Sequence, residues 1–290
     1  MLANEGHDNW ITVSALLART ASDIVADHGN ISMTQYRLLI RLKANDGVCA
    51  AKKLAEDLAI APSTVTGALN DLEPRKAIKR TYTSDDNRVV NVRITEKGLE
   101  LLEAIDPAIC ELAHDFWSTY TPEELAMTKE DSINTANNRN LAYVKGDGMS
   151  VENAYVDSAL VVMQELTRQM HRANISANEY RVLHLLSVNP CGMRPKEISR
   201  KLLLRSNEVT VAAKKLADHG RIERLRIEGD RRASQLVITQ AGHDKLAKVT
   251  PPLVEAFRSG ITELAEDAFD YYDAIARKIL ERSRREHLLI

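Results

Sequence analysis

The side chains best suited to chemistry are hydrogen-bonding and cationic, and they come in two sets. In the first half of the chain, Ser63, Thr64, Thr66 and Asn70 recur on one side of a helical segment, followed by the polar turn Asp86-Asn87-Arg88. In the second half, Asn207, Thr210, Lys214 and Lys215 follow Arg205, and Asp230-Arg231-Arg232 repeats the turn. Hydroxyl, amide and ammonium groups on one helix face suit the base edges and phosphates of a duplex. An Asp-x-Arg turn taken alone is a solvated surface pair. Glu208, in the second set, either accepts from a cytosine amino group or is merely solvated.

Other chemistries find no support in the residue spacing. There is no glycine-rich phosphate loop, no Gly-x-Ser-x-Gly elbow and no His-Glu-x-x-His, so an enzyme is not expected. Asp85-Asp86 and Glu123-Glu124 read as a turn tip and a helix cap. The eight histidines fit no metal-ligand spacing, and His184 reads as a satisfied, partly buried residue. Cys49, Cys110 and Cys191 are an odd number at spacings of no zinc or redox motif, which points to structural or incidental roles. Neither a cofactor nor a metal is expected.

The two sets are positioned by a repeat. Ile31-Ser32-Met33-Thr34-Gln35-Tyr36-Arg37 returns as Ile175-Ser176-Ala177-Asn178-Glu179-Tyr180-Arg181, displaced by 144 residues, and the offset holds from Asn9/Asn153 to Leu102/Leu246. About a quarter of the aligned positions are identical, as in a duplicated domain. The sequence therefore predicts domains at 1–146 and 147–290, with Lys145-Gly146-Asp147-Gly148 between them.

Within one copy, Trp10, Val13, Leu17, Ala21 and Ile24 mark a first helix with one apolar face, and Met33 to Leu42 a second. Lys52 to Leu58 is a short helix, and Pro62 opens another to about Glu73, with Val65, Leu69 and Leu72 inward. Ser63, Thr64, Thr66, Gly67 and Asn70 are left outward, as in a helix-turn-helix reader. Alternating residues in 78–82 and 89–94 predict a hairpin, and Thr95 begins a long closing helix. Thr121-Pro122-Glu123-Glu124 is a capping box that launches a helix to about Arg139. The tail from Ile261 reads as the matching terminal helix. The fold class is thus mainly α with small antiparallel β-wings, in two winged helix-turn-helix domains.

At the wings the pattern becomes specific. Asp86-Asn87-Arg88, five residues, then Ile94-Thr95-Glu96-Lys97-Gly98 resembles the Asp-x-Arg-x5-Leu-Thr-x-x-Gly signature of MarR-family transcription regulators. Asp230-Arg231-Arg232 and Ile238-Thr239-Gln240-Ala241-Gly242 repeat it in register. The resemblance implies a protein that binds double-stranded DNA, with a recognition helix in the major groove and Arg88 or Arg232 in the adjacent minor groove, braced by Asp86 or Asp230. It implies two protomers fused through a helical dimerisation-like bundle with a pseudo-two-fold, hence a monomer working as a pseudo-dimer, with room for further self-association. A small aromatic or anionic effector is also implied. No cysteine lies in the first helix of either copy, which disfavours peroxide sensing of the family's kind. The family's glycine between recognition helix and wing is Gly220 in the second copy, whereas Lys76 stands there in the first.

The net charge of −2 hides an imbalance. Residues 1–146 hold about 16 basic and 21 acidic side chains and residues 147–290 about 23 and 20, so the second copy is expected to supply more of the grip. The N-terminus has no secretory pattern and no apolar run nears the roughly 20 residues of a membrane span, so a cytoplasmic protein without a membrane partner is expected. The rival reading is a winged-helix protein-interaction or ligand-sensing module with weak or no DNA binding, motivated by the acidic first half.

Overall fold

Apolar residues at spacings of three and four wind Asn9–Gly29 into helix α1, and Trp10, Ile11, Val13, Leu16, Leu17, Ala21 and Val25 are all buried on it. Ile24 is only partly buried, so the inward front is broader than one stripe and centred slightly differently from the sequence expectation. The computed structural model describes residues 9–83, 86–138, 149–227, 230–260 and 268–286. The first copy continues with α2 (Met33–Ala44), β1 (Val48–Ala50), α3 (Ala51–Asp57), α4 (Pro62–Leu72), β2 (Ile78–Thr83), β3 (Asp86–Ile94), α5 (Glu96–Trp117) and α6 (Pro122–Asn138). The second comprises α7 (Val151–Arg172), α8 (Ala177–Ser187), α9 (Pro195–Leu202), α10 (Ser206–Asp218), β4 (Ile222–Ile227), β5 (Asp230–Ile238), α11 (Gln240–Gly260) and α12 (Ala268–Glu286). The protein is mainly helical with small antiparallel sheets, in two winged helix-turn-helix units.

By its contacts the chain forms one unit from Leu17–Val161 and another from Met1–Leu16 with Val162–Ile290. Each unit, built around one repeat, takes in the opening turns of the other repeat's first helix. In the first-repeat unit, Leu39, Leu42, Leu54, Leu58, Val65 and Leu72 are buried. In the second-repeat unit the same columns are Leu183, Leu186, Ile198, Leu202, Val209 and Leu216, also buried.

Local signals explain the boundaries. Ser32 and Gln35 form a reciprocal capping box at α2, with Ser32 N–H donating to Gln35 Oε1 at 2.8 Å. Thr121 N–H donates to Glu124 Oε2 at 2.8 Å, and Glu124 N–H to Thr121 Oγ1 at 3.2 Å, so α6 starts where its capping box predicts. The tight turns inside the two helix-turn-helix pairs place Ala59 at φ 52° and Leu203 at φ 51°. β1 is a strand the sequence reading missed, giving the first unit a three-stranded sheet ordered β1-β3-β2. Among the described residues the second unit has a two-stranded sheet and the bridge Met193↔Leu236 in place of that third strand.

The Thr-x-x-Gly part of the wing signature has a packing cause. Thr95 Oγ1 donates to the Lys76 carbonyl at 2.6 Å and accepts from Gly98 N–H at 3.2 Å. Thr239 Oγ1 does the same with the Gly220 carbonyl at 2.7 Å and Gly242 N–H at 3.2 Å. A Cβ on Gly98 would lie 2.3 Å from the Ala77 carbonyl oxygen, and one on Gly242 2.4 Å from that of Arg221, so neither position admits a side chain. Lys76 adopts φ 59° where Gly220 has 65°, so the first copy keeps the left-handed turn without its glycine. A left-handed non-glycine residue costs about 1 kcal/mol. Lys76→Gly is expected to raise unfolding stability by about that amount in urea titration.

The repeat extends beyond Leu102/Leu246. Pro107 and Pro251 lie inside α5 and α11 at matching positions. The residue before each is tied to a buried tyrosine: Tyr36 donates to Asp106 at 2.6 Å, and Tyr180 lies 3.1 Å from Thr250 Oγ1. Burial and the Asp106 carboxylate push the Tyr36 phenol upward.

Candidate nucleic-acid interface

Ser63, Thr64, Thr66, Gly67 and Asn70 are all exposed on α4, while Val65, Ala68, Leu69 and Leu72 are buried beneath them. Arg205, Asn207, Thr210, Lys214 and Lys215 are likewise exposed at or on α10, over buried Val209, Ala212, Ala213 and Leu216. The structure therefore gathers each set on one face of one helix. The hydroxyls of Thr66 and Thr210 donate back along their own helices, to Pro62 and Ser206 carbonyls at 3.0 and 2.9 Å, and keep their acceptor lone pairs outward.

The two faces differ in charge. On α4, Asn70 Oδ1 accepts from Arg80 Nη1 at 2.8 Å, and Arg80 Nε donates to Glu73 Oε2 at 2.8 Å. Arg80 thus sets a cation beside a helix whose own face has none, a neighbour the sequence reading overlooked. Its hydrogen bonds hold the Glu73 carboxyl below the ordinary range. In the second copy the aligned pair is Arg224 and Ala217, so exposed Arg224 lacks that carboxylate. The signal was available, since Arg80 and Arg224 are identical positions on the strand that follows each recognition helix.

Each recognition helix is tied to the helix before its helix-turn-helix pair, with the charges exchanged. Gln35 Nε2 donates to Asp71 Oδ2 at 3.0 Å in the first unit. In the second, Lys215 Nζ lies 3.8 Å and Arg221 Nη1 3.9 Å from the buried Glu179 carboxylate. Aspartate has become lysine on the outer partner while glutamine has become glutamate on the inner one. Lys214 pairs with Asp218 at 2.8 Å, both exposed, which leaves its ammonium available at little cost.

Glu208 has a third role beyond the two envisaged. Its Oε2 accepts from the Arg205 N–H at 2.7 Å, so it caps its own helix, and Asn207 Oδ1 accepts from Glu208 N–H at 3.0 Å. An open groove of about 210 Å³ runs between the starts of α8 and α10, walled by Ser176, Asn178, Glu179, Asn207, Glu208, Val211, Ala212 and Lys215.

The wings are built in one register. Thr83 pairs with Asp86 and Ile227 with Asp230, each just past a bulge, at Tyr82/Thr83 and Arg226/Ile227. Asp86 and Arg88 therefore stand on β3 where Asp230 and Arg232 stand on β5, with Arg231 between the latter. The side chains of these five residues lie outside the described ones.

Cys49 is buried, Cys110 half-buried and Cys191 exposed. Burial raises the thiols of Cys49 and Cys110. Among the described residues no cluster of three or more metal-ligating side chains occurs, and no helix is long and apolar enough to cross a membrane.

Two exposed helix faces, each supported by a helix-turn-helix pair and followed by a wing, define a tandem winged helix-turn-helix protein. Residues 31–90 and 175–234 each match the model of the MarR family, so the chain carries two MarR-like units in tandem. It is 33% identical over 81 residues to the HTH-type transcriptional regulator YhbI of Bacillus subtilis, 28% of this chain and 52% of that protein. It is 32% identical over 90 residues to the transcriptional repressor MprA of Escherichia coli, 31% of this chain and 51% of that protein. The match to these curated relatives spans about half of their length. The MarR-family regulator Sco3205 of Streptomyces coelicolor, solved in complex with DNA, aligns with 48% of this chain and 91% of its own at 20% identity and a TM-score of 0.41.

Proposed function

We propose that this protein is a sequence-specific transcription regulator that binds duplex DNA as a single-chain pseudo-dimer. The observation that carries the reading is the pair of like-built polar faces, on α4 and α10, at one offset in one chain. Each recognition helix enters a major groove, and Arg88 and Arg232 enter the flanking minor grooves. Repeat domains 1–146 and 147–290 are the two reading heads. The pseudo-dimer is supported by the exchange of opening turns: Arg181 Nε donates to Thr12 Oγ1 at 3.1 Å within the second-repeat unit, and Arg37 Nε to Asp157 Oδ1 at 2.6 Å within the first. In a dimer of separate chains such exchange would be intermolecular; here one chain supplies both sides.

An effector is part of the proposal. Arg37 and Arg41 are buried against one carboxylate, Asp157, and Arg37 Nη2 and Arg41 Nε have no hydrogen-bond partner among the described residues. Buried, donor-rich and positive, this cluster favours a small anionic ligand, an aromatic carboxylate above all. A cytoplasmic site of action follows from the same reading.

Selection from a randomised duplex pool with the full chain at about 100 mM salt, followed by footprinting, tests it. Two protected half-sites with centres about 10 base pairs apart are expected, and binding is expected to respond to added benzoate-type carboxylates. No enriched duplex would favour the alternative, a winged-helix interaction or ligand-sensing module, for which the Asp71 and Glu73 charges in the last turn and C-cap of α4 speak.

A further inference from the structure

We infer that Val211 reads a thymine methyl group in the half-site bound by the second repeat, an inference that rests on the DNA-binding reading above. Val211 is 55% exposed in the middle of α10. Asn207 lies one turn before it and Lys214 and Lys215 one turn after, all exposed, so it sits within the polar stripe of the recognition face. Nothing local calls for valine there. A β-branched residue is a poorer helix former than alanine, and an isopropyl group left more than half exposed on an open wall of the groove beside α8 gains little from burial.

The aligned residue of the first copy is Gly67, and a Cβ built on it would meet nothing within 4 Å. The two recognition helices therefore differ at one central position by an apolar side chain presented or withheld. In the major groove the C5 methyl of thymine is the apolar feature among the four bases, and apolar side chains are its natural contact. A protein partner would call for an apolar cluster. On α10 the neighbours of Val211 are instead polar, the amide of Asn207, the hydroxyl of Thr210 and the ammonium groups of Lys214 and Lys215, with the Glu208 carboxylate turned to the Arg205 N–H as a cap, a setting that suits a groove of bases and phosphates.

The test uses duplexes selected from the randomised pool, with each thymine replaced in turn by deoxyuridine, which removes the methyl and nothing else. Wild type is expected to lose about 3- to 5-fold in affinity at one thymine, the worth of one buried methyl. Val211→Ala should fold at least as well and bind the thymine and deoxyuridine duplexes equally at that position. If deoxyuridine is without effect at every position, or its effect persists undiminished in Val211→Ala, the assignment of Val211 is overturned while DNA binding stands. If wild type enriches no duplex, the DNA-binding reading falls and this one with it.

Discussion

Replacing Arg88 and Arg232 together with alanine is expected to weaken binding to the selected duplex about 100-fold at fixed salt. Each guanidinium would surrender a charge-assisted contact worth about 1.5 kcal/mol, and the two sites are independent because they stand in different wings. The equal register at Thr83↔Asp86 and Ile227↔Asp230 is what makes both arginines equivalent in their wings. Two cations fewer should also flatten the dependence of log affinity on log salt by about 2. The single variants should be unequal. Arg80 beside the first recognition helix is held by Glu73, whereas Arg224 beside the second has Ala217 in that place, so the second copy is expected to grip harder and Arg232→Ala to cost more than Arg88→Ala. Titration by anisotropy at several salt concentrations reads all of this. Unchanged affinity in the double variant would remove the wings from the interface.

The inequality of the copies was partly legible in the sequence, and partly not, for a physical reason. Lys76 in place of glycine was visible as a departure, but only the backbone shows that the turn is kept at φ 59°. The excess of lysine on the second recognition helix was visible too. What charge counting could not reveal is that Lys215 faces Glu179 where Asp71 faces Gln35, because a tie between helices needs a partner far along the chain. Helical periodicity found the inward face of α4, Val65, Leu69 and Leu72, correctly, since it reports which side of an element is apolar. It does not report what that side packs against, so the passage of α1 and α7 from one unit to the other was beyond it. β1 was missed because three residues are too few to show alternation. Glu208 was weighed only as a reader or a solvated acid because its capping role depends on the Arg205 N–H, a backbone partner that composition does not display.

Asp157→Val is expected to cost the protein about 3–5 kcal/mol of unfolding stability, the cost of leaving buried cations uncompensated. Asp157 binds Arg37 Nε and Arg41 Nη2, each at 2.6 Å, and Arg41 is fully buried. Burial alone would raise the Asp157 carboxyl; the two guanidinia outweigh it and hold the group below the ordinary carboxylate range. The sign follows from linkage. A carboxyl depressed in the folded state contributes fully above its unfolded value of about 4 and loses that contribution as pH falls toward the folded value. Wild type should therefore lose stability more steeply than Asp157→Val below about pH 4. The other unit shows that the fold does not require these charges. Its aligned residues are Val13 and Leu185 in place of Asp157 and Arg41, both buried, and Arg181 in place of Arg37 is satisfied by Thr12, Asn178 and the Leu202 carbonyl. Arg41→Leu added to Asp157→Val is thus expected to recover most of the loss, because apolar replacement of a buried ion cluster is often neutral. Urea titration of the three proteins decides it. A double variant no more stable than Asp157→Val would show that the first-repeat unit depends on its charges in a way its sibling does not. Recovery would leave the cluster without a folding role, and a buried positive site that folding does not need is where an anionic effector would act.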